Sequence, residues 1–244
     1  MKAALAFSGK VAPQDALKQL VQPPSGTARN MPVSMYQLKP RFQGLLRPCV
    51  QRLFTLGVTA NQVTVLACAM SVLLGLGLSL AVMHAPGASR PWFALIPLWM
   101  LLRMALNAID GMLAREHGQQ SMLGAYLNEL TDVLSDTALY LPFAWVAPVQ
   151  PMAIGALCVM AALSEMAGLQ GLTLGAGRRY EGPMGKSDRA LVFGVLGLGV
   201  CITATLPAWL AWVVPVVLAL TAWTTVNRVR AGLRLATTTK VGHP

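Results

Sequence analysis

The chain has 244 residues, 55% of them hydrophobic and 11% charged, with a mean hydropathy of +0.56. That balance excludes an ordinary soluble domain, and apolar runs of about 20 residues recur, the length at which a helix crosses a bilayer. The net charge of +10 would suggest nucleic acid in a soluble protein, but here the basic residues flank apolar stretches, so topology explains them and no nucleic-acid partner is expected.

Taken in chain order, residues 1–33 are expected to form a mobile cytoplasmic tail. The apolar run 3–7 is too short for a secretory signal and is followed by Lys10, Asp15 and Lys18. Pro23, Pro24, Ser25 and Gly26 mark irregular chain. Residues 35–56 read as an amphipathic helix lying in the membrane surface. Phe42, Leu45, Leu46, Cys49, Val50, Leu53 and Phe54 share one face, with Arg41, Arg47 and Arg52 off it. Pro48 is expected to kink this helix.

Six apolar spans are predicted, over 62–82, 91–114, 123–146, 152–172, 190–206 and 208–226. The expected fold is therefore all-α: a polytopic membrane protein of six transmembrane helices plus the N-terminal interfacial helix. Its membrane domain runs over 34–228 and a basic cytoplasmic tail over 229–244. Ser71, Gly75 and Ser79 on the first span, and Ser164 and Gly168 on the fourth, are small residues at four-residue spacing, which permits close helix approach. Cys49, Cys68, Cys158 and Cys201 show no metal-like or paired spacing and read as packing residues.

Charge sets the orientation. Eight Lys/Arg precede the first span, Arg115 lies between the second and third, and Arg178, Arg179, Lys186 and Arg189 lie between the fourth and fifth. Arg228, Arg230, Arg234 and Lys240 follow the sixth, while Arg90 alone lies on the opposite side. By the positive-inside rule both termini are cytoplasmic, and so is the junction of spans two and three.

That junction carries five of the nine acidic residues: Asp110, Glu116, Glu129, Asp132 and Asp136. Carboxylates between apolar segments hold a cation or line a polar cavity. Asn107 and Asp110 share a helix face, with Gly111 and Ala114 beside them and Arg115 next. On the following helix Gly124, Asn128, Asp132 and Asp136 recur every four residues, widened by Thr131 and Ser135. Two such stripes facing each other suit a hard cation such as Mg²⁺, which keeps few protein ligands and takes the rest from water and phosphate. Glycine and alanine leave room for a nucleotide, and arginine supplies a fork for phosphate. The chemistry this fits is phosphoryl transfer.

At these residues the sequence resembles the CDP-alcohol phosphatidyltransferases, whose signature is D-x-x-D-G-x-x-A-R followed by G-x-x-x-D-x-x-x-D. Asp110, Gly111, Ala114, Arg115, Gly124 and Asp132 match in type and spacing. Gly57-Val58-Thr59-Ala60-Asn61-Gln62-Val63-Thr64 resembles the family's approach to its first span, with Ala60 for the usual proline. The resemblance implies an enzyme that binds a CDP-linked lipid, usually CDP-diacylglycerol, with Mg²⁺ or Mn²⁺. It implies attack by an acceptor alcohol on the phosphorus nearest the lipid, with release of CMP. Asp132 is then the general base, with Asp136 as a second candidate. Asn107, Asp110, Asn128 and Asp132 form the metal site, and Gly111, Ala114, Arg115 and Gly124 receive the CDP moiety. It also implies a homodimer. Membrane lipids are the expected surroundings, in a bacterial inner membrane, with the active site placed on the cytoplasmic side by the charge pattern.

Asn107 and Asn128 depart from the signature, each standing where the family has an aspartate. Each keeps a carbonyl oxygen but lacks the charge. Three readings stay open: a two-metal site completed by Glu129 or Asp136, a one-metal enzyme, and a CDP-lipid binder without turnover. A solute transporter using Glu165 and the aspartates is a further alternative, disfavoured by the Gly111, Ala114, Arg115 group. Gly185-Lys186-Ser187 lacks the first glycine and the preceding strand of a nucleotide phosphate loop. If the loop over 178–189 touches the acceptor, its arginines and lysine imply a phosphorylated one. Glu165, inside the fourth span, is expected to pair with Arg103 or line the acceptor cavity. Trp99, Trp145, Trp209, Trp212 and Trp223 are expected to anchor the interface.

Overall fold

The structure, a computed structural model, describes residues 33–241, with side-chain surroundings for 41–237. The expectations for the tail before residue 33, and for the last residues of the C-terminal tail, lie outside the described residues. Within them the chain is helical: α1 (Val33–Thr55), α2 (Ala60–His84), α3 (Leu95–Glu116), α4 (Met122–Tyr140), α5 (Pro151–Thr173), α6 (Lys186–Ile202) and α7 (Val213–Val241). Short 3-10 turns, Arg90–Ala94 and Ala208–Trp212, lead into α3 and α7, and a third, Leu141–Trp145, ends α4.

Four helical stretches are long and apolar enough to cross a membrane: Ala60–His84, Arg90–Glu116, Pro151–Thr173 and Ala208–Thr237. Leu66, Leu73, Leu80, Leu98 and Leu101 on the first two are more than half exposed, which in water would be costly and in lipid is not. The sequence predicts six spans. The other two are not among these four: α4 carries Glu129, Asp132 and Asp136, and α6 is 17 residues long and opens on Lys186, Asp188 and Arg189. All of these but Asp188 line the cleft described below.

The start of α2 explains the Gly57-to-Thr64 run. Gly57 closes the turn after α1 in the left-handed region, at φ 76°. Thr59 then caps α2: its hydroxyl accepts from the Gln62 amide at 3.3 Å, while the Gln62 side chain accepts from the Thr59 amide at 2.9 Å. Ala60, where a proline is usual, uses the N–H that proline lacks to donate to Gln119 Oε1 at 2.7 Å. That bond ties the α3–α4 connection to the head of α2.

Helices α2 and α4 meet backbone to backbone, because a Cβ on Gly75 would lie 2.0 Å from the Ala138 carbonyl oxygen. Ser71, buried on the same stripe, accepts from Trp99 Nε1 at 2.8 Å, so Trp99 ties α3 to α2. The stripe on α5 meets Arg228 of α7 and also receives a loop. A Cβ on Gly171 would lie 2.3 Å from the Gly177 oxygen, and the Arg179 amide donates to the Gly168 oxygen at 2.9 Å. What approaches there is the polar α5–α6 loop, folded back on its own helix. The loop is fastened to α7 as well, since Gly182 abuts Thr224 and the Met184 amide donates to Thr224 Oγ1 at 2.9 Å.

The main core sits at the C-terminal end of α4. Tyr140 stacks on Phe193 at 3.9 Å, and Phe143 meets Phe93 and Phe193 edge-on. A second cluster joins Val50 of α1 to Val63 of α2 and to Ile109, Met112 and Leu113 of α3. The apolar face of α1 is therefore divided. Val50 is buried in the bundle, with Leu46 and Leu53 packed against the same cluster, whereas Leu45 is 80% exposed. The helix continues through Pro48.

Candidate active site

The second half of α3 and the first half of α4 place the two polar stripes side by side. Asp110 is buried, and its Oδ2 lies 2.7 Å from Thr64 Oγ1 of α2. That hydroxyl is also 3.0 Å from the Ala60 oxygen, so its single proton serves one acceptor at a time. Gly111 lies beneath the guanidinium of Arg115, whose Nη2 would be 2.8 Å from a Cβ there. Ala114 is half-buried and Arg115 exposed. Gly124 faces Asn61, whose Oδ1 would lie 2.8 Å from a Cβ on it, and its amide is capped by Ser121 at 2.9 Å. This glycine therefore seats the start of α4 on the start of α2, and Asn61 joins the two sequence motifs.

Asp132 is the most heavily engaged group. Arg103 Nη2 donates to its Oδ1 at 2.9 Å and to its backbone oxygen at 3.1 Å, and Asn107 Nδ2 lies 3.4 Å from Oδ1. Lys186 Nζ forms an ion pair with Oδ2. Arg103 Nη1 meets Asp136 Oδ1 at 2.5 Å. The pairing of Arg103 with Glu165 expected from sequence is thus replaced by a fork onto the two aspartates of α4. Asn128 is half-buried on the same helix, one turn before Asp132.

Glu165 has other partners. Arg189 reaches its Oε1 at 3.1 Å, while Arg228 and Arg178 reach its Oε2 at 3.3 and 3.6 Å. Arg178 also pairs with Glu129, and Arg228 donates to the Ser164 oxygen at 2.6 Å. Between the two networks lies a small cleft, lined by Glu129, Asp132, Asp136, Glu165, Arg178, Lys186 and Arg189 among others. In the loop beside it, burial disfavours the Arg178 charge but the Glu129 carboxylate outweighs that and raises its pKa. Burial likewise pushes the Glu181 carboxyl up, yet its hydrogen bonds to Arg179 outweigh this and leave it below the usual range.

The structure brings Asn107, Asp110, Gly111, Arg115, Asp132 and Asp136 to one region, and adds Thr64, Arg103, Lys186 and the Glu165 network. Of these additions, Lys186 carried the clearest sequence signal, as part of a basic loop expected to touch a phosphorylated acceptor or to set topology. Gly185 caps α6: its amide donates to Asp188 Oδ2 at 2.8 Å, and Lys186, the first residue of the helix, reaches Asp132 of α4.

Residues 57–223 match the family described as CDP-alcohol phosphatidyltransferase, most of the chain's length. The chain belongs to the CDP-alcohol phosphatidyltransferase family. It is 45% identical over 206 residues to the inner membrane protein YnbA of Escherichia coli (strain K12), covering 84% of this chain and 98% of that protein. Its fold is similar to the phosphatidylinositol phosphate synthase PgsA1 of Mycobacterium tuberculosis. Against the crystal structure of that synthase with manganese and citrate the TM-score is 0.62 at 21% identity, covering 76% of this chain and 88% of that one. Against its form with CDP-DAG bound the TM-score is 0.62 at 20% identity, over 76% and 92%.

CDP-alcohol phosphatidyltransferases are expected to use divalent ions, and the residues here can be tested against that. Asn107 and Asp110 offer a carbonyl and a carboxylate oxygen one turn apart, the hard-donor chemistry that Mg²⁺ or Mn²⁺ takes. A second ion finds less to bind: Asn128 carries no charge, and both carboxylate oxygens of Asp132 already hold cationic side chains.

Proposed function

We propose that this protein transfers a phosphatidyl group from a CDP-linked lipid, such as CDP-diacylglycerol, to an acceptor alcohol and releases CMP. The observation that carries the reading is that α3 and α4 bring Asp110 and Asp132 to one region, where Asn107 Nδ2 of α3 lies 3.4 Å from Asp132 Oδ1 of α4 and Gly111 leaves space beneath the Arg115 guanidinium. Asn107 and Asp110 would hold the divalent ion, Mg²⁺ or Mn²⁺. When bound, that ion supplies charge neutralisation on the diphosphate.

The remaining roles fall to the chain's own groups. Gly111 and Ala114 leave room for the cytidine nucleotide, Arg115 is placed to grip a phosphate, and Gly124 keeps the α4 start close to α2. The acceptor enters from the Glu165 side of the cleft. Asp132, held in orientation by Arg103 and Lys186, takes the hydroxyl proton as the acceptor oxygen bonds to the phosphorus nearest the lipid. The bond from that phosphorus to the CMP oxygen breaks, and CMP leaves with the electron pair. Asp136 fixes Arg103 and is the second candidate for the proton. A phosphorylated acceptor would have to displace Glu165 or Glu129 from the arginines they hold.

The wider setting belongs to the same reading. Six helices cross a bacterial inner membrane as one domain over 34–228, both termini and the cleft face the cytoplasm, and the protein works as a homodimer among membrane lipids. A second reading, a CDP-lipid binder without turnover, is favoured by one observation: both carboxylate oxygens of Asp132 are engaged by cations. Mass spectrometry of lipids after over-expression separates the two. A new phospholipid class in wild type and not in D110A supports the transferase; nucleotide binding with no new lipid supports the binder.

A further inference from the structure

We infer that this site takes one divalent ion per protomer, and that Lys186 is a fixed cation standing on Asp132 where a second ion would otherwise be needed. The inference rests on the reading that the cleft binds a CDP-linked lipid.

The argument is one of charge and of vacant oxygens. Asp110, Asp132, Asp136, Glu129 and Glu165 bring five negative charges to the region, and Arg103, Lys186, Arg178, Arg189 and Arg228 return five positive ones. A CDP-linked diphosphate adds a negative charge on each phosphate. One divalent ion brings that sum to zero, and the exposed Arg115 is left to solvent. A second ion would leave two uncompensated positive charges among groups that are largely buried, and unpaired buried charge is strongly disfavoured. The oxygens agree with the charges. Asp110 has Oδ1 free of the Thr64 contact, and Asn107 donates through Nδ2, which leaves its carbonyl oxygen available. Asp132 has nothing comparable, since Oδ1 receives Arg103 and Oδ2 receives Lys186.

The position of Lys186 is built rather than incidental. It is the first residue of α6, and α6 is started by the Gly185 amide on Asp188. Behind it, Met184 is bonded to Thr224 of α7 and its carbonyl accepts from Arg189 at 3.2 Å. A lysine on so constrained a backbone can supply a localised positive charge that stays in place when no ion is bound. Lys186 is thus a positioning residue: it acts on Asp132.

The test counts ions. Purified protein in nanodiscs is titrated with Mn²⁺ in the presence of CDP-diacylglycerol, bound Mn²⁺ is read by electron paramagnetic resonance, and retained CDP-diacylglycerol is measured on the same sample. Wild type is expected to hold one Mn²⁺ per protomer and D110N none. In N128D/K186Q, which gives Asp132 a free oxygen and a carboxylate partner one turn away, the count is expected to rise to two. N128D alone, with Lys186 in place, is expected to stay at one and serves if the double variant does not fold. Two ions in wild type, two in N128D alone, or one in a folded double variant would overturn the inference while CDP-diacylglycerol is retained. If no CDP-diacylglycerol is retained under any condition, the functional reading itself fails and the inference with it.

Discussion

Arg103 Nη1 lies 2.5 Å from Asp136 Oδ1, and its other terminal nitrogen holds Asp132 one turn earlier on α4. One guanidinium therefore fixes the spacing of two carboxylates that the sequence places on a single stripe. Arg103 and Asp136 side chains are 7% and 8% exposed, so neither can turn to water if its partner is removed. Arg103→Ala is expected to lower stability by about 3–5 kcal/mol, as for a broken buried ion pair. Thermal unfolding in a fixed detergent measures this, and Arg103→Lys is expected to recover only part because it cannot fork onto both aspartates.

The Glu165 carboxylate is the hub of three arginines, from the loop, α6 and α7. Glu165→Gln leaves Arg189 and Arg228, both nearly fully buried, without their shared counter-charge. The expected loss is again about 3–5 kcal/mol. A second consequence is specific to this arrangement: the freed arginines should take up inorganic phosphate, so added phosphate stabilises E165Q more than wild type in the same unfolding assay.

Parts of this site were open to sequence reasoning and parts were not. The α3 and α4 stripes were, because both lie on regular helices where spacing alone decides which residues share a face. The Lys186–Asp132 pair was not, because it depends on how the loop between α5 and α6 folds back onto Gly168 and Gly171, a long-range contact with no periodic signal. Glu165 is expected from sequence to pair with Arg103 or to line a cavity; it lines the cleft, but its arginines are Arg178, Arg189 and Arg228, since hydropathy locates a buried charge without identifying which of several arginines reaches it. The two expected spans outside the four long apolar stretches have a similar cause: α4 carries acidic groups that line the cleft, and α6 is 17 residues long and opens on polar ones.

Ala60 offers a sign test. Its N–H donates to Gln119 Oε1. Ala60→Pro would lose that bond, costing about 1 kcal/mol, but would gain nearly as much by restricting the unfolded chain at a first-turn position. The net change is expected to be small in wild type and favourable in a Gln119→Ala background. A double-mutant cycle on unfolding free energy reads the coupling, which should be about 1 kcal/mol.

Glu181 gives the loop a pH dependence. Its folded pKa lies below the usual value, so its pairing with Arg179 stabilises the protein above the ordinary glutamate range and is lost as pH falls through the lowered folded value. The side chain is partly exposed, so the contribution should be under about 1 kcal/mol. Unfolding midpoints compared between pH 7 and pH 3 should fall less steeply in Glu181→Gln than in wild type.

The central claim is that Asp110 and Asp132 work on a CDP-linked lipid held between α3 and α4. Its most direct measurement is CMP release from CDP-diacylglycerol by the purified protein, with a panel of alcohols and with Mg²⁺ or Mn²⁺ present. The expected result is CMP formed by wild type with at least one alcohol and reduced by a factor of about 100 or more in Asp110→Asn and in Asp132→Asn. Equal CMP release by wild type and both variants would contradict it.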